Sequence, residues 1–581
     1  MNKIILSIAV MLTAYGFAMC NRPGWDDLTY KPPTEEGESG LGASFEGKFT
    51  RYQKGQKHPG QTNSSVIEQT WSDTVWQNDR AYKQIIVWTN DEDYANLNYE
   101  VSDLVGNGNT IPASNISLRF GSYILGDQIV EGCSASNQTD AYIADALSTT
   151  PVTSVTSEDP IKIWVTVNTQ KTTVSGKYSG TIKINSGTQT MKTLNIELLV
   201  ANHILPDVVD WQFHLDLWQF PFELIKHVQP AVSFGSDQYY SLMEPIYKAL
   251  CDAGQKAITT YIKDAAFNAG ETMVKWVKHA DGSWSFDYSA FDKHVEKLML
   301  WGITRQINCF SLIGWNPAIN YYDEASASNK TLEFKLSGEE GDLHVGDETY
   351  HDTWFCFLSS FKDHLIQKGW FEKTVLFMDE VRNPNMELVV NLIKEHDPNW
   401  KIGLAGNGLS AEQEQQLYDY SIFLTRESQK TTTIKTFYTS CSHQYPNNFV
   451  TASNSPAEMS WMGWHAAGAG YNGYLRWAAD YWRSGDPVNA RETGASAGDA
   501  SMLYYKNNTS NNNDVVMSIR LLMLRDGIQD YEKIKILNNA ELNTYIQTFN
   551  VPFDFPSVEN SGRNAPELVG NGESLLKMVS L

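Results

Sequence analysis

Two rhythms of apolar and polar positions divide the chain. Between residues 65 and 203 apolar side chains alternate with polar ones in short runs, at 84–88, 97–101, 116–120, 161–167, 180–184 and 194–200. A period of two puts alternate side chains on one face of a strand. Turn-forming stretches such as Gly106-Asn107-Gly108 and Asn185-Ser186-Gly187 separate the runs without any helical period, which predicts a β-sandwich over 65–205. After Pro206 continuous apolar runs alternate with amphipathic helical stretches. The runs lie at 211–217, 257–262, 306–311, 374–378, 401–404, 421–424, 435–438 and 473–477, with helical spacing at 288–301, 353–368, 386–396 and 411–418. Eight such units predict a (β/α)8 TIM-like barrel with insertions and a C-terminal extension over 206–581. One insertion reads as a hairpin, with 273–277 and 284–286 joined around Asp281-Gly282.

The N-terminus follows a different logic. Lys3 precedes an apolar run at 4–17 and then small residues, the pattern of an export signal over 1–19, too short for a spanning helix. Gly16 and Ala18 suit ordinary signal peptidase. Phe17-Ala18-Met19-Cys20 instead resembles a lipobox with Met19 where Gly or Ala is usual, so Cys20 is a candidate lipid anchor and both routes stay open. Residues 20–64, rich in Gly, Pro, Glu and Ser over their first part, read as a flexible spacer. The expectation is an exported protein, periplasmic or held at the outer membrane or surface, and soluble apart from any anchor.

Charge narrows the partners. The 581 residues carry a formal net charge of -23, so the average surface repels phosphate backbones and no nucleic-acid partner is expected. Aromatic residues make up 12%, with 18 Trp and 28 Tyr; this suits stacking on sugar rings as well as a large aromatic core. The six cysteines, Cys20, Cys133, Cys251, Cys309, Cys356 and Cys441, form no CxxC pair, so neither a metal nor a cofactor is expected. Cys309 and Cys441 lie in or beside apolar segments and read as small buried hydrophobes, not as disulfide partners or nucleophiles. Gly468-Ala469-Gly470-Tyr471-Asn472-Gly473 fits a dinucleotide pattern but follows a helix and opens a strand, the reverse of the required order. Gly494-Ala495-Ser496-Ala497-Gly498 fits a nucleophile elbow with no apolar strand leading in. Both read as turns, and with no Walker loop present no nucleotide partner is expected.

Barrel enzymes carry their reactive groups at the C-terminal ends of strands. Of the four Asp-Glu dipeptides, at 91–92, 323–324, 347–348 and 379–380, only Asp379-Glu380 terminates an apolar strand. Successive side chains on a regular strand point to opposite faces, so both carboxyls reach one cavity only if the strand frays or twists there. Neighbouring carboxyls do not straddle a sugar ring, as the two-carboxylate glycosidase mechanisms require. They suit a reaction in which the substrate's 2-acetamido oxygen is the nucleophile, with Asp379 orienting the amide and Glu380 as general acid and base. An ionised Asp379 would raise the proton affinity of Glu380.

These residues resemble glycoside hydrolase family 123, the β-N-acetylgalactosaminidases. The resemblance runs through Gly176-Lys177-Tyr178-Ser179-Gly180, Phe213-His214-Leu215-Asp216-Leu217-Trp218-Gln219, Met378-Asp379-Glu380 and Arg525-Asp526-Gly527-Ile528-Gln529-Asp530-Tyr531-Glu532. It implies a catalytic Asp379-Glu380 pair, retaining substrate-assisted cleavage and release of β-linked N-acetylgalactosamine. By strand-end position alone, His214, Asp216, Trp218, Asn308, Tyr438, His443, Tyr474, Arg476 and Trp477 are candidate substrate-binding residues. Tyr438 could donate to the acetamido oxygen, while His465 reads as structural. A non-catalytic surface glycan-binding protein and a β-N-acetylglucosaminidase are the rival readings. The sequence says nothing of oligomeric state.

Overall fold

The computed structural model describes residues 40–581, apart from 107, 135–137, 264–270, 432, 484, 492 and 506–515. The export signal and Cys20 lie outside the described residues. Among the described residues no helix is long and apolar enough to cross a membrane.

Two sheets build the N-terminal part. One has seven strands in the order Leu41–Glu46, Arg80–Thr89, Ile161–Asn168, Ile116–Asp127, Asp140–Ser148, Val516–Ser518 and Leu503–Tyr504. The other runs Thr70–Gln77, Gln189–Ile204, Gly176–Ser186, Leu104–Gly106, Asn109–Ile111, with Leu97–Val101 also paired to Gly176–Ser186. Alternate side chains of the two, including Ile85, Val87, Ile163, Val165, Ile182 and Ile196, interleave as one buried apolar cluster. Two domain limits need correction. Leu41–Glu46 falls inside the expected spacer, because Gly42 and Ala43 let this apolar segment lie against Trp88 and Val87 and complete the sheet edge. The same sheet also recruits strands from beyond residue 500, which the limit of 205 had assigned to the barrel.

The second part centres on eight parallel strands: His214–Leu217, Ala257–Tyr261, Gln306–Phe310, Thr374–Asp379, Lys401–Ala405, Asp419–Phe423, Ile434–Thr439 and Gly473–Arg476. They follow one another in space in chain order, with the eighth paired to the first. The first and second share no full ladder. Two amide side chains span that seam: Gln255 accepts from Leu217 N at 2.8 Å, and Gln219 accepts from Thr259 N at 2.8 Å. With the backbone bond from Lys256 N to Leu215 O at 2.9 Å, they leave the sheet nearly closed. Among the described residues a helix follows every strand except the sixth. The expected hairpin forms as Lys275–Lys278 with Trp284–Asp287 and joins Ile319–Asp323 and Ser328–Leu332 in a four-stranded sheet.

The two parts share one core. Trp76, Tyr82, Leu147 and Trp164 of the sandwich belong to the same apolar cluster as the barrel and its helices. Ion pairs cross the junction: Arg520 to Asp145 at 2.8 Å, Lys48 to Asp526 at 2.6 Å, Lys533 to Asp79 at 2.6 Å and Lys577 to Asp73 at 2.6 Å. The helices Ala457–Ala469 and Ile519–Leu537 cross so closely that a Cβ at Gly463 would lie 2.0 Å from the Gly527 carbonyl oxygen. Only glycine permits that approach.

Candidate functional site

Thr374–Asp379 is buried along its whole length, and its last residue opens into a cavity of about 580 Å³ at the C-terminal end of the barrel. Asp379 is 6% exposed, whereas Glu380 is exposed to solvent. A regular strand would send these two side chains to opposite faces. Glu380 instead adopts φ of 48°, a left-handed conformation that costs a non-glycine residue roughly 1–2 kcal/mol. Its amide stays bonded to Ala405 O at 2.7 Å, so the sheet holds the turn while the pleat is broken. Both carboxyls thereby line one cavity, and Glu380 also lines a second, of about 990 Å³, alongside.

Their electrostatics differ. Burial raises the Asp379 carboxyl well above the ordinary carboxylate range; the neighbouring Glu380 charge adds to the rise, and a hydrogen bond from the Trp315 side chain opposes it. Desolvation is the largest influence and acts on Asp379 itself. Tyr438 donates its hydroxyl to Glu380 Oε1 at 3.2 Å and accepts from Asn407 Nδ2 at 3.3 Å. Burial, then the two carboxylates, push the phenol upward, which keeps it a donor.

Aromatic rings form the remaining walls. Trp218, Trp315, Trp477 and Tyr481 line the cavity with Tyr438, and Asp499 lies among them. Asp499 is clamped by Arg476 and accepts from the Trp477 side chain. Cys133 and Cys441 form a disulfide in the same wall, joining a loop of the sandwich to the loop after the seventh barrel strand. The reading of Cys441 as a buried hydrophobe is thus corrected. Its strand-like context was real, but a partner 308 residues away leaves no local spacing signal. Cys309 is free and buried, as expected. The Gly494–Gly498 turn has a structural use: Ser496 Oγ accepts from Glu131 N and Gly132 N, both at 3.0 Å, and holds the loop that carries Cys133.

Two models of known families cover most of this architecture, the glycoside hydrolase 123 catalytic domain over residues 218–537 and the glycoside hydrolase 123 N-terminal domain over residues 48–186. The chain belongs to glycoside hydrolase family 123. A family 123 glycoside hydrolase from Clostridium perfringens, described for glycolipid glycan hydrolysis, superposes with a TM-score of 0.81 at 21% identity, over 93% of this chain and 98% of its own. A family 39 glycoside hydrolase from Bacteroides cellulosilyticus WH2 gives a TM-score of 0.32 at 10% identity, over 75% and 82% of the two chains. No curated protein sequence matches the chain.

In this family 123 hydrolase, the sequence-derived candidates separate into two groups. Asp379, Glu380, Trp218, Tyr438 and Trp477 meet in the cavity. His214, Asp216, Asn308, His443, Tyr474 and Arg476 are buried outside its lining, because strand-end position does not reveal which way a side chain faces. His214 lies 3.5 Å from Asp419 in the barrel interior. Asp216 accepts from Asn308 at 2.9 Å and from the Trp218 indole at 3.3 Å, so it supports the cavity floor; burial pushes its carboxyl up to about 7. His443 is packed on Phe423 with ring centroids 4.1 Å apart, and burial lowers its imidazole to about 3. Tyr474 shares a hydrogen bond with Thr439 Oγ1 at 2.6 Å. Trp315, Tyr481 and Asp499 escaped sequence reasoning. Of these, Trp315 carried a usable signal, an aromatic residue just beyond the end of the third barrel strand.

Proposed function

We propose that this hydrolase is a retaining β-N-acetylgalactosaminidase working by substrate-assisted catalysis in a TIM-type barrel. The observation that carries the reading is the adjacency of Asp379 and Glu380 on one cavity wall. Two carboxyls on one strand end cannot sit on opposite faces of a sugar as acid and nucleophile. In the proposed reaction the 2-acetamido oxygen attacks the anomeric carbon while Glu380 protonates the departing glycosidic oxygen. Asp379 accepts the amide N–H and stabilises the oxazolinium charge. Glu380 then deprotonates the water that opens the ring. The aromatic wall of Trp218, Trp315 and Trp477 supports a sugar ring in the cavity, with Tyr438 near the acetamido group.

Glycan chains of glycolipids are candidate substrates, since the Clostridium perfringens structure was described for them. Export is part of the proposal. A disulfide persists in oxidising compartments, which agrees with a signal over 1–19 and with periplasmic or surface residence through either processing route. Release of nitrophenol from the aryl β-glycosides of N-acetylgalactosamine and N-acetylglucosamine tests the sugar; faster turnover of the gluco compound would reject the assignment. Stepwise fluorination of the acetamido methyl tests the nucleophile. Each fluorine withdraws charge from the attacking oxygen and should lower kcat, whereas a flat series would point to a protein nucleophile.

A further inference from the structure

Glu380 stands between two cavities, and this has a consequence for the leaving group. Asp379 lines only the 580 Å³ cavity, whereas Glu380, Tyr438, Ser440 and Ser442 line both that cavity and the 990 Å³ one. If the sugar to be released occupies the aromatic cavity, the oxygen that Glu380 protonates faces the second, which therefore receives the group left behind. Arg382 and Arg426 both open onto this second cavity. Both are exposed and neither makes an ion pair or side-chain hydrogen bond among the described residues. In a chain of net charge -23, several other guanidinium groups are committed: Arg51, Arg80, Arg476, Arg491 and Arg520 are all held by aspartates.

Three acidic residues share the cavity, Glu380, Glu414 and Glu427, and none forms an ion pair with Arg382 or Arg426 among the described residues. Glu414 is buried, and its Oε2 accepts from Ser428 Oγ at 2.9 Å and Gln429 N at 2.7 Å. Glu427 is exposed and forms no ion pair with either arginine. We infer that the second cavity is a subsite for an acidic leaving group, a saccharide unit bearing a carboxylate or a sulfate that Arg382 and Arg426 engage through their planar forks. The proposal rests on the glycosidase reading above, because Glu380 as acid is what makes this side the leaving-group side.

The test compares kcat/KM for N-acetylgalactosamine β-linked to glucuronate, to sulfated galactose, and to glucose or galactose as neutral partners. The expected result is a preference of about tenfold for at least one acidic compound at low salt, the scale of two partly solvated charge pairs, eroding as salt is raised. In the double variant Arg382→Gln/Arg426→Gln the acidic-to-neutral ratio should fall to about one. That ratio is measured within one protein preparation, so partial loss of folded enzyme does not alter it. Equal rates on acidic and neutral compounds in the wild type, or a preference that survives in the double variant, would overturn the inference. The aryl β-glycoside of N-acetylgalactosamine separates the two readings: if it is not cleaved, the glycosidase assignment fails on its own. The subsite is then read by saturation-transfer NMR of methyl glucuronide and sulfated methyl galactoside. Binding lost in the double variant supports the subsite, and absent or unchanged binding rejects it.

Discussion

Replacing Glu380 by Gln isolates the proton from everything else the residue does. The amide is nearly isosteric, its Oε1 still accepts from the Tyr438 hydroxyl now 3.2 Å away, and the left-handed backbone at φ of 48° is no harder for Gln than for Glu. Because the side chain is exposed, no buried charge is removed and folding should be unaffected. What disappears is the donor for the glycosidic oxygen. General acid catalysis is worth about 10²–10⁴-fold, or about 3–5 kcal/mol of barrier. That full loss is expected for a glycan, whose alkoxide leaves poorly, while a nitrophenyl glycoside should lose less than about tenfold because nitrophenolate leaves unprotonated. The assay is kcat/KM on both substrates with purified wild type and variant, alongside thermal melts. Equal losses on the two substrates, with unchanged melting, would refute Glu380 as the acid.

Asp379→Asn should abolish turnover of both substrate types yet raise the melting temperature near neutral pH. Burial raises the folded carboxyl well above its ordinary value, so the native state binds that proton more tightly than the unfolded chain. Stability is then lost as pH rises through the folded pKa; the gain from Asn should fade in acid, and a variant that melts lower at neutral pH would contradict this. Opening the Cys133–Cys441 disulfide by a double Ser substitution should destabilise the fold and raise KM more than it lowers kcat. The chain-entropy ceiling for a 308-residue separation is about 5–6 kcal/mol; reductant titration that leaves melting and KM unchanged would count against a role in the cavity wall. Tyr438→Phe removes one hydrogen bond to a carboxylate and should cost kcat/KM about tenfold, as expected for about 1.5 kcal/mol, with full activity arguing against the contact.

The parts legible in the sequence were those set by local period and by strand-end position. All eight barrel strands follow from runs of apolar side chains that a buried parallel sheet demands, and Asp379 and Glu380 follow from the one acidic pair ending such a run. Direction was not legible. Arg476 and Trp477 are adjacent, yet Arg476 is buried outside the cavity lining while Trp477 forms part of it. The same holds for Asp216, which bonds the Trp218 indole from below. Partners distant in sequence were also invisible. Nothing near Cys133 or Cys441 shows that they meet, and nothing near Val516–Ser518 shows that it continues the sheet through Asp140–Ser148.

That last pairing changes how the sandwich is understood. Were it only a cover for an apolar face of the barrel, the catalytic part could stand alone. However, the barrel chain returns to the sandwich after its eighth strand, lays Leu503–Tyr504 and Val516–Ser518 on its sheet, and buries Arg520 against Asp145 at 2.8 Å. Cutting at residue 206 would leave that guanidinium buried without its carboxylate, a loss of about 3–5 kcal/mol for one pair. It would also remove Cys133 from the cavity wall and the loop that Ser496 holds. One side of the cavity is therefore sandwich in origin. The carboxyl pair is a property of one barrel strand and its broken pleat, but the enclosure beside that pair belongs to both parts of the chain.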